Sequence, residues 1–189
     1  MPRIAFIKRD EATDEQRRIA GPIWDIRGGH DDDVYGGPWG IMLHNPELTE
    51  YAARYGTYVR AGAGGLEKRS SELVIAITAR YWDCHFEWSA HHHQALQHGV
   101  PPELVEAIRT RAEPEINSPG DEAVYDYVTG LYADKRVSDA VHDRAVEAVG
   151  LQGVIAIVAI AGFYSSVAMI CNAFELEVTR GDPPPPLVD

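Results

Sequence analysis

The chain is poor in cysteine and in positive charge. Only two cysteines, Cys84 and Cys171, occur in 189 residues. Two such widely separated residues do not make a disulfide framework, and a reducing cytoplasm is the simplest home for them. Lysine and arginine number 17 against 29 aspartates and glutamates, leaving a net charge of −12. A surface that acidic disfavours nucleic acid and anionic membranes. No basic patch interleaved with aromatics offsets it, so no nucleic-acid partner is expected. Strand signals are also scarce: no stretch alternates apolar and polar residues between hairpin turns. The opening residues, Met1 to Lys8, hold no long apolar run, so no signal peptide is expected.

What the sequence does have is helix punctuation. Thr13-Asp14-Glu15-Gln16 fits a capping box opening a helix toward Trp24. Asn45-Pro46-Glu47 supplies an N-cap, a proline at the first helical position and an early acid. Further helices are predicted from about Glu67 to Tyr81, from an Asp83 cap to near Gly99, and from Pro101-Pro102 onward. Ser118 caps a sixth helix and Ser138 a seventh, which Gly150 closes. The uncharged run from Gly153 to Phe174 is long enough to span a bilayer. However, Gly162, Ser165, Ser166 and Asn172 interrupt it, and acids rather than a basic cluster follow it. It reads instead as a buried core helix, or a helix pair broken near Gly162-Phe163, so no membrane partner is expected. The fold class is therefore all-α, about eight helices in packed hairpins, within one domain over residues 1–189. Residues 1–44 form an N-terminal helix and a long irregular loop over 25–44, and residues 180–189 a proline-rich tail.

The chemistry-bearing residues cluster between Glu72 and His91. Cys84, Glu87 and His91 stand at i, i+3 and i+7, which puts them on one helix face. With Asp83 as N-cap, Cys84 would sit at the first helical position, where the dipole favours a thiolate. Glu87 and His91 are close enough to exchange a proton. Glu72, on the preceding helix, joins them only if the two helices pack together; if buried, its raised pKa would suit an acid. Arg80 is a candidate for binding a substrate carboxylate. The 25–44 loop, with Trp39, His44, Trp88 and Tyr164, is expected to shape the pocket. Plainer readings of the same residues stand beside these: an exposed helix-start acid for Glu72, an i,i+4 surface pair for Glu87 and His91, a core thiol for Cys84. His91, His92 and His93 point about 100° apart on a helix and cannot share one ion. No metal is assigned there, nor to the acidic His30-Asp31-Asp32-Asp33 run.

Glu72, Cys84 twelve residues on, Glu87 three further and His91 four further match the pattern of the carboxymuconolactone decarboxylase family. Asn45-Pro46-Glu47-Leu48, Gly162-Phe163-Tyr164 and Asn172-Ala173-Phe174-Glu175 resemble the segments that flank it in that family. The resemblance implies an AhpD-like fold and a homo-oligomer, trimer or hexamer. It implies catalytic roles for Glu72, Cys84, Glu87 and His91, and a cofactor-free decarboxylation of a small carboxylated lactone such as 4-carboxymuconolactone. The AhpD-like branch cycles a Cys-x-x-Cys pair, but here Glu87 holds the second position. Thiol-dependent hydroperoxide reduction centred on Cys84, or an isomerase or hydratase reaction on the same scaffold, are the alternatives.

Overall fold

The computed structural model describes residues 2–27, 33–178 and 183–188. His30, Asp31 and Asp32 lie outside them, and with them most of the acidic run. Among the described residues there are eight α-helices: α1 Asp14–Arg27, α2 Gly37–Met42, α3 Pro46–Arg60, α4 Lys68–Tyr81, α5 His85–Gln97, α6 Pro102–Thr110, α7 Pro119–Asp134 and α8 Asp139–Ala173. Most begin where the side chains say they should. Thr13 and Gln16 exchange the two bonds of the capping box, at 3.2 and 2.9 Å. Asn45 accepts from the Leu48 amide, Ser118 from that of Asp121 and Ser138 from that of Val141.

Helix α4 is the centre of the molecule. Every residue from Ser71 to Arg80 is buried, so it has no solvent face. It packs on α5, α7 and α8. This is why Val74–Ile77, strand-like in composition, is helical: a helix buried on all sides reads as a continuous apolar run. The buried Asp121 of α7 accepts from two Arg69 nitrogens, Nε at 3.0 Å and Nη2, and ties α7 to the start of α4.

Three expectations are corrected. The 25–44 stretch is less irregular than its glycines suggest. Helix α1 runs on to Arg27 through Pro22, and beyond residue 33 the chain forms a two-residue strand (β2, Val34–Tyr35) and α2. Strand β2 pairs antiparallel with β1, Ile7–Lys8, a ladder too short to show alternation in the sequence. The apolar run does not break at Gly162-Phe163. The chain departs from helical angles at Gly150 alone, where φ is 73° and ψ 163°, and α8 then continues unbroken to Ala173. Helix α8 is the one described helix long and apolar enough to cross a membrane, and 61% of its apolar window is buried in the bundle.

A three-residue turn, Ala63–Gly65, seats the end of α3 on the start of α8's second segment. Gly64 has φ +61°, and a Cβ there would lie 2.4 Å from the Gln152 carbonyl oxygen. Gly64→Ala is therefore expected to destabilise the fold by about 2 kcal/mol, through backbone strain and overpacking. A denaturant midpoint equal to wild type would contradict this.

The proline-rich tail folds back onto its own chain. Trp88 Nε1 donates to the Pro185 carbonyl at 2.9 Å, Arg109 to that of Pro186 at 2.8 Å, and Arg80 to that of Val188. The Val188 amide in turn donates to the Arg109 carbonyl at 3.3 Å. Trp88→Phe is expected to speed hydrogen exchange at the Val188 amide and to cost about 1–2 kcal/mol. Unchanged exchange would show that the tail does not depend on this bond.

Candidate functional site

The connection from α4 to α5 sets the site. Asp83 is not the cap of α5. It takes the left-handed conformation, φ 46°, and the Cys84 amide reaches back to the Ala79 carbonyl at 2.9 Å. That pattern is the C-terminal turn of α4. The Asp83 carboxylate is occupied by Arg80 at 2.6 Å and by Arg111 at 2.8 Å. Cys84 itself is the N-cap of α5, in extended conformation with no capping bond from its side chain. It is fully buried.

One turn into α5, Glu87 and His91 face α4 and α8 from the same side as Cys84. Both are buried, with Glu72 of α4 opposite them. His91 Nδ1 lies 2.7 Å from Glu72 Oε2, and Nε2 lies 3.6 Å from Glu87 Oε2. The imidazole thus stands between two buried carboxylates. Tyr164 of α8 packs edge-on against the ring, with centroids 5.0 Å apart. The other Glu72 oxygen meets Lys68 Nζ at 2.8 Å. Cys171 of α8 donates its thiol to Glu87 Oε1, sulfur to oxygen 3.9 Å.

Electrostatics hold one carboxylate neighbour of His91, Glu72, in its charged form. Burial pushes the Glu72 carboxyl upward, but hydrogen bonds and charge from His91 and Lys68 outweigh it and hold the group at about 2. Glu72 is therefore an ionised partner at neutral pH, not the raised-pKa acid that burial alone predicts. The Cys171 thiol is pushed far up by its hydrogen bond with Cys84, by burial and by the charge of Glu87.

Of the nine residues singled out from sequence, the fold gathers five, Glu72, Cys84, Glu87, His91 and Tyr164, while Trp39 lines a separate groove. Arg80 and Trp88 are buried beneath the tail, bonded to its carbonyls. His44 is exposed and bonds to the Ala5 carbonyl at 3.0 Å. Sequence reading missed two members of the site. Lys68 sits four residues before Glu72 on the same helix, a spacing that was legible. Cys171 carried no local signal, because only the packing of α8 brings it to α5. Among the described residues, no three His, Cys, Asp or Glu side chains gather as metal ligands.

A groove of about 610 Å³ lies elsewhere, between α1 and α3, with Trp39, Arg18, Arg54 and Arg60 in its lining. None of the buried trio lines it. A chain of aromatic contacts joins the two places: Trp39 to Phe163, Phe163 to Tyr164, and Tyr164 to His91, at 6.4, 5.4 and 5.0 Å between centroids.

Residues 46–129 match the model of the carboxymuconolactone decarboxylase family. The match spans a little under half of the chain. It contains Glu72, Cys84, Glu87 and His91, while Tyr164 and Cys171 lie beyond it. No curated protein matches the chain in sequence. Three solved structures share its AhpD-like fold. An uncharacterized peroxidase-related protein from Silicibacter sp. superposes with a TM-score of 0.73 at 13% identity, covering 93% of this chain and 91% of that one. The alkylhydroperoxidase AhpD core of a peroxidase-related protein from Ralstonia eutropha gives 0.72 at 16% identity, with the same 93% and 91% coverage. A protein of unknown function from Agrobacterium tumefaciens gives 0.65 at 15% identity, over 75% of this chain and 97% of that one. At these identities the likeness is one of fold.

Proposed function

We propose that the chain is a cofactor-independent acid–base enzyme that decarboxylates a small carboxylated lactone. The observation that carries this reading is His91, buried between an ionised Glu72 and Glu87. In such a substrate the departing carboxylate sits on a ring carbon joined through an alkene to the lactone carbonyl. Loss of carbon dioxide sends its electron pair into that carbonyl, so the substrate is its own electron sink. The protein's tasks are then to hold the substrate and to deliver a proton to carbon.

His91 is suited to the second task. Ionised Glu72 accepts from Nδ1–H, which fixes the ring and its tautomer. Nε2 is left on the Glu87 side, where the Glu87 carboxylate orients the ring and relays the proton that replaces the one His91 gives up. Lys68, bound to the far oxygen of Glu72, keeps that carboxylate charged. The arginine-rimmed groove, linked to His91 by the aromatic chain, is the approach we assign to an anionic substrate. Reduced thiols at Cys84 and Cys171 suit a cytoplasmic setting.

Self-association belongs to this reading. Leu48, Tyr51 and Tyr58 of α3 and Leu151, Ile155 and Val158 of α8 are exposed. The two helices are joined by the Tyr55 hydroxyl, which donates to the Ala159 carbonyl at 2.9 Å. An apolar face of this kind supports a homo-oligomer.

The test is carbon dioxide release from a panel of carboxylated butenolides, with no metal or cofactor added. Release by the folded protein is the expected result. Turnover of the same compounds without gas release would replace decarboxylation with isomerisation or hydration at the same residues.

A further inference from the structure

The groove between α1 and α3 is a second place where the chain can hold a small molecule. Its volume of about 610 Å³ falls within the range of small-molecule sites, roughly 300–1,000 Å³. Its walls are largely apolar: Ile19, Pro22 and Ile23 of α1, Trp39 of α2 and Ala53 of α3. Ile19, Ile23 and Trp39 are anchored in the core and form its floor. The charges on its rim are divided between two ends. Glu50 engages Arg18 at 3.1 Å and Arg54 at 2.9 Å, so one carboxylate already occupies two of the three arginines. Arg60 lies about 15 Å further along α3. Among the described residues, no side chain pairs with it. The residues of α3 that line the groove, from Glu50 to Ala61, lie on a different side of the helix from Leu48, Tyr51 and Tyr58. Self-association through those three does not use the groove.

We propose that this groove binds an amphipathic monocarboxylate, its extended apolar chain against Ile19, Ile23 and Trp39 and its carboxylate on Arg60. The chain's net charge of −12 repels anions over most of the surface, so an acid is held only where a cation is local. Arg60 supplies that cation as a planar fork, which a single carboxylate fits with two parallel bonds. A nucleotide or phosphate ester would need further cations, and Glu50 already engages Arg18 and Arg54. A neutral or cationic amphiphile would leave Arg60 unpaired. The apolar walls reward a long chain over a short one, in proportion to the area each buries. None of Glu72, Glu87 and His91 lines the groove, so binding here does not depend on the reaction proposed for them.

The experiment is calorimetric titration of the full-length protein with octanoate, butyrate, octanol and octyltrimethylammonium, each below its micellar concentration. The expected result is one octanoate per chain, bound more tightly than butyrate. Octanol is expected to bind at least about tenfold more weakly, and octyltrimethylammonium not at all. Arg60→Gln is expected to weaken octanoate by about tenfold or more and to leave octanol unchanged. Thr57→Trp puts an indole on the exposed wall of the groove and is expected to abolish binding of both. Failure of octanoate to bind folded wild type, equal affinity for octanol, several octanoates per chain, or an affinity that Arg60→Gln leaves unchanged would each overturn the site. His91→Ala is expected to bind octanoate as wild type does. Binding is read without turnover, so failure of this site and failure of the decarboxylase reading are told apart.

Discussion

Replacing His91 by alanine is expected to lower turnover by about 10²–10⁴-fold, the range a positioned general acid or base contributes. The imidazole touches both buried carboxylates, so its loss removes the proton donor and separates Glu72 from Glu87. Glu87→Gln is expected to lower turnover comparably, because an amide cannot relay the proton although it keeps the shape. The two effects should not add, since both residues serve one transfer. Steady-state rates on the butenolide panel, alongside circular dichroism to confirm the helices, measure this. Near-wild-type turnover by a folded His91→Ala protein would place the chemistry elsewhere.

The second large effect concerns stability in acid. Glu72 titrates at about 2 in the folded chain against an ordinary value of 4.5, a difference worth about 3 kcal/mol. The sign follows from proton binding. Above pH 4.5 the carboxylate is charged whether the chain is folded or not, and the full stabilisation is present. As pH falls from about 4.5 toward 2, the unfolded chain takes up a proton that the folded chain refuses, and the stabilisation is lost. Glu72→Gln has no such dependence. It is therefore expected to be less stable than wild type at neutral pH by up to about 3 kcal/mol, with the gap closing as pH falls toward 2. Urea midpoints across that range test it. A gap that stays constant with pH would mean that Glu72 is not held ionised by Lys68 and His91.

Helix starts were legible because caps are local: Thr13, Asn45, Ser118 and Ser138 each act on an amide within three residues. The spacing of Cys84, Glu87 and His91 was legible for the same reason, being one face of one helix. Asp83 misled because aspartate suits an N-cap and a left-handed turn alike, and only its bonds to Arg80 and Arg111 show which holds. Arg80 misled differently. It looked free for a substrate carboxylate, but the tail that engages it lies 108 residues away. The pKa of Glu72 and the contact of Cys171 with Glu87 were beyond sequence reading, because both depend on how α4, α5 and α8 are brought together. Gly162, a helix breaker by composition, is tolerated because the packing of α8 on α4 and α7 holds the helix through it.

The central claim is that His91, set between Glu72 and Glu87, delivers a proton to substrate carbon. The most direct measurement is the deuterium content of the product formed in heavy water, wild type beside His91→Ala. The account predicts that wild type places one deuterium on a ring carbon of the dienolate left by loss of carbon dioxide, and that His91→Ala forms this product at a rate reduced at least about a hundredfold. Deuterated product appearing at the wild-type rate in His91→Ala would contradict it.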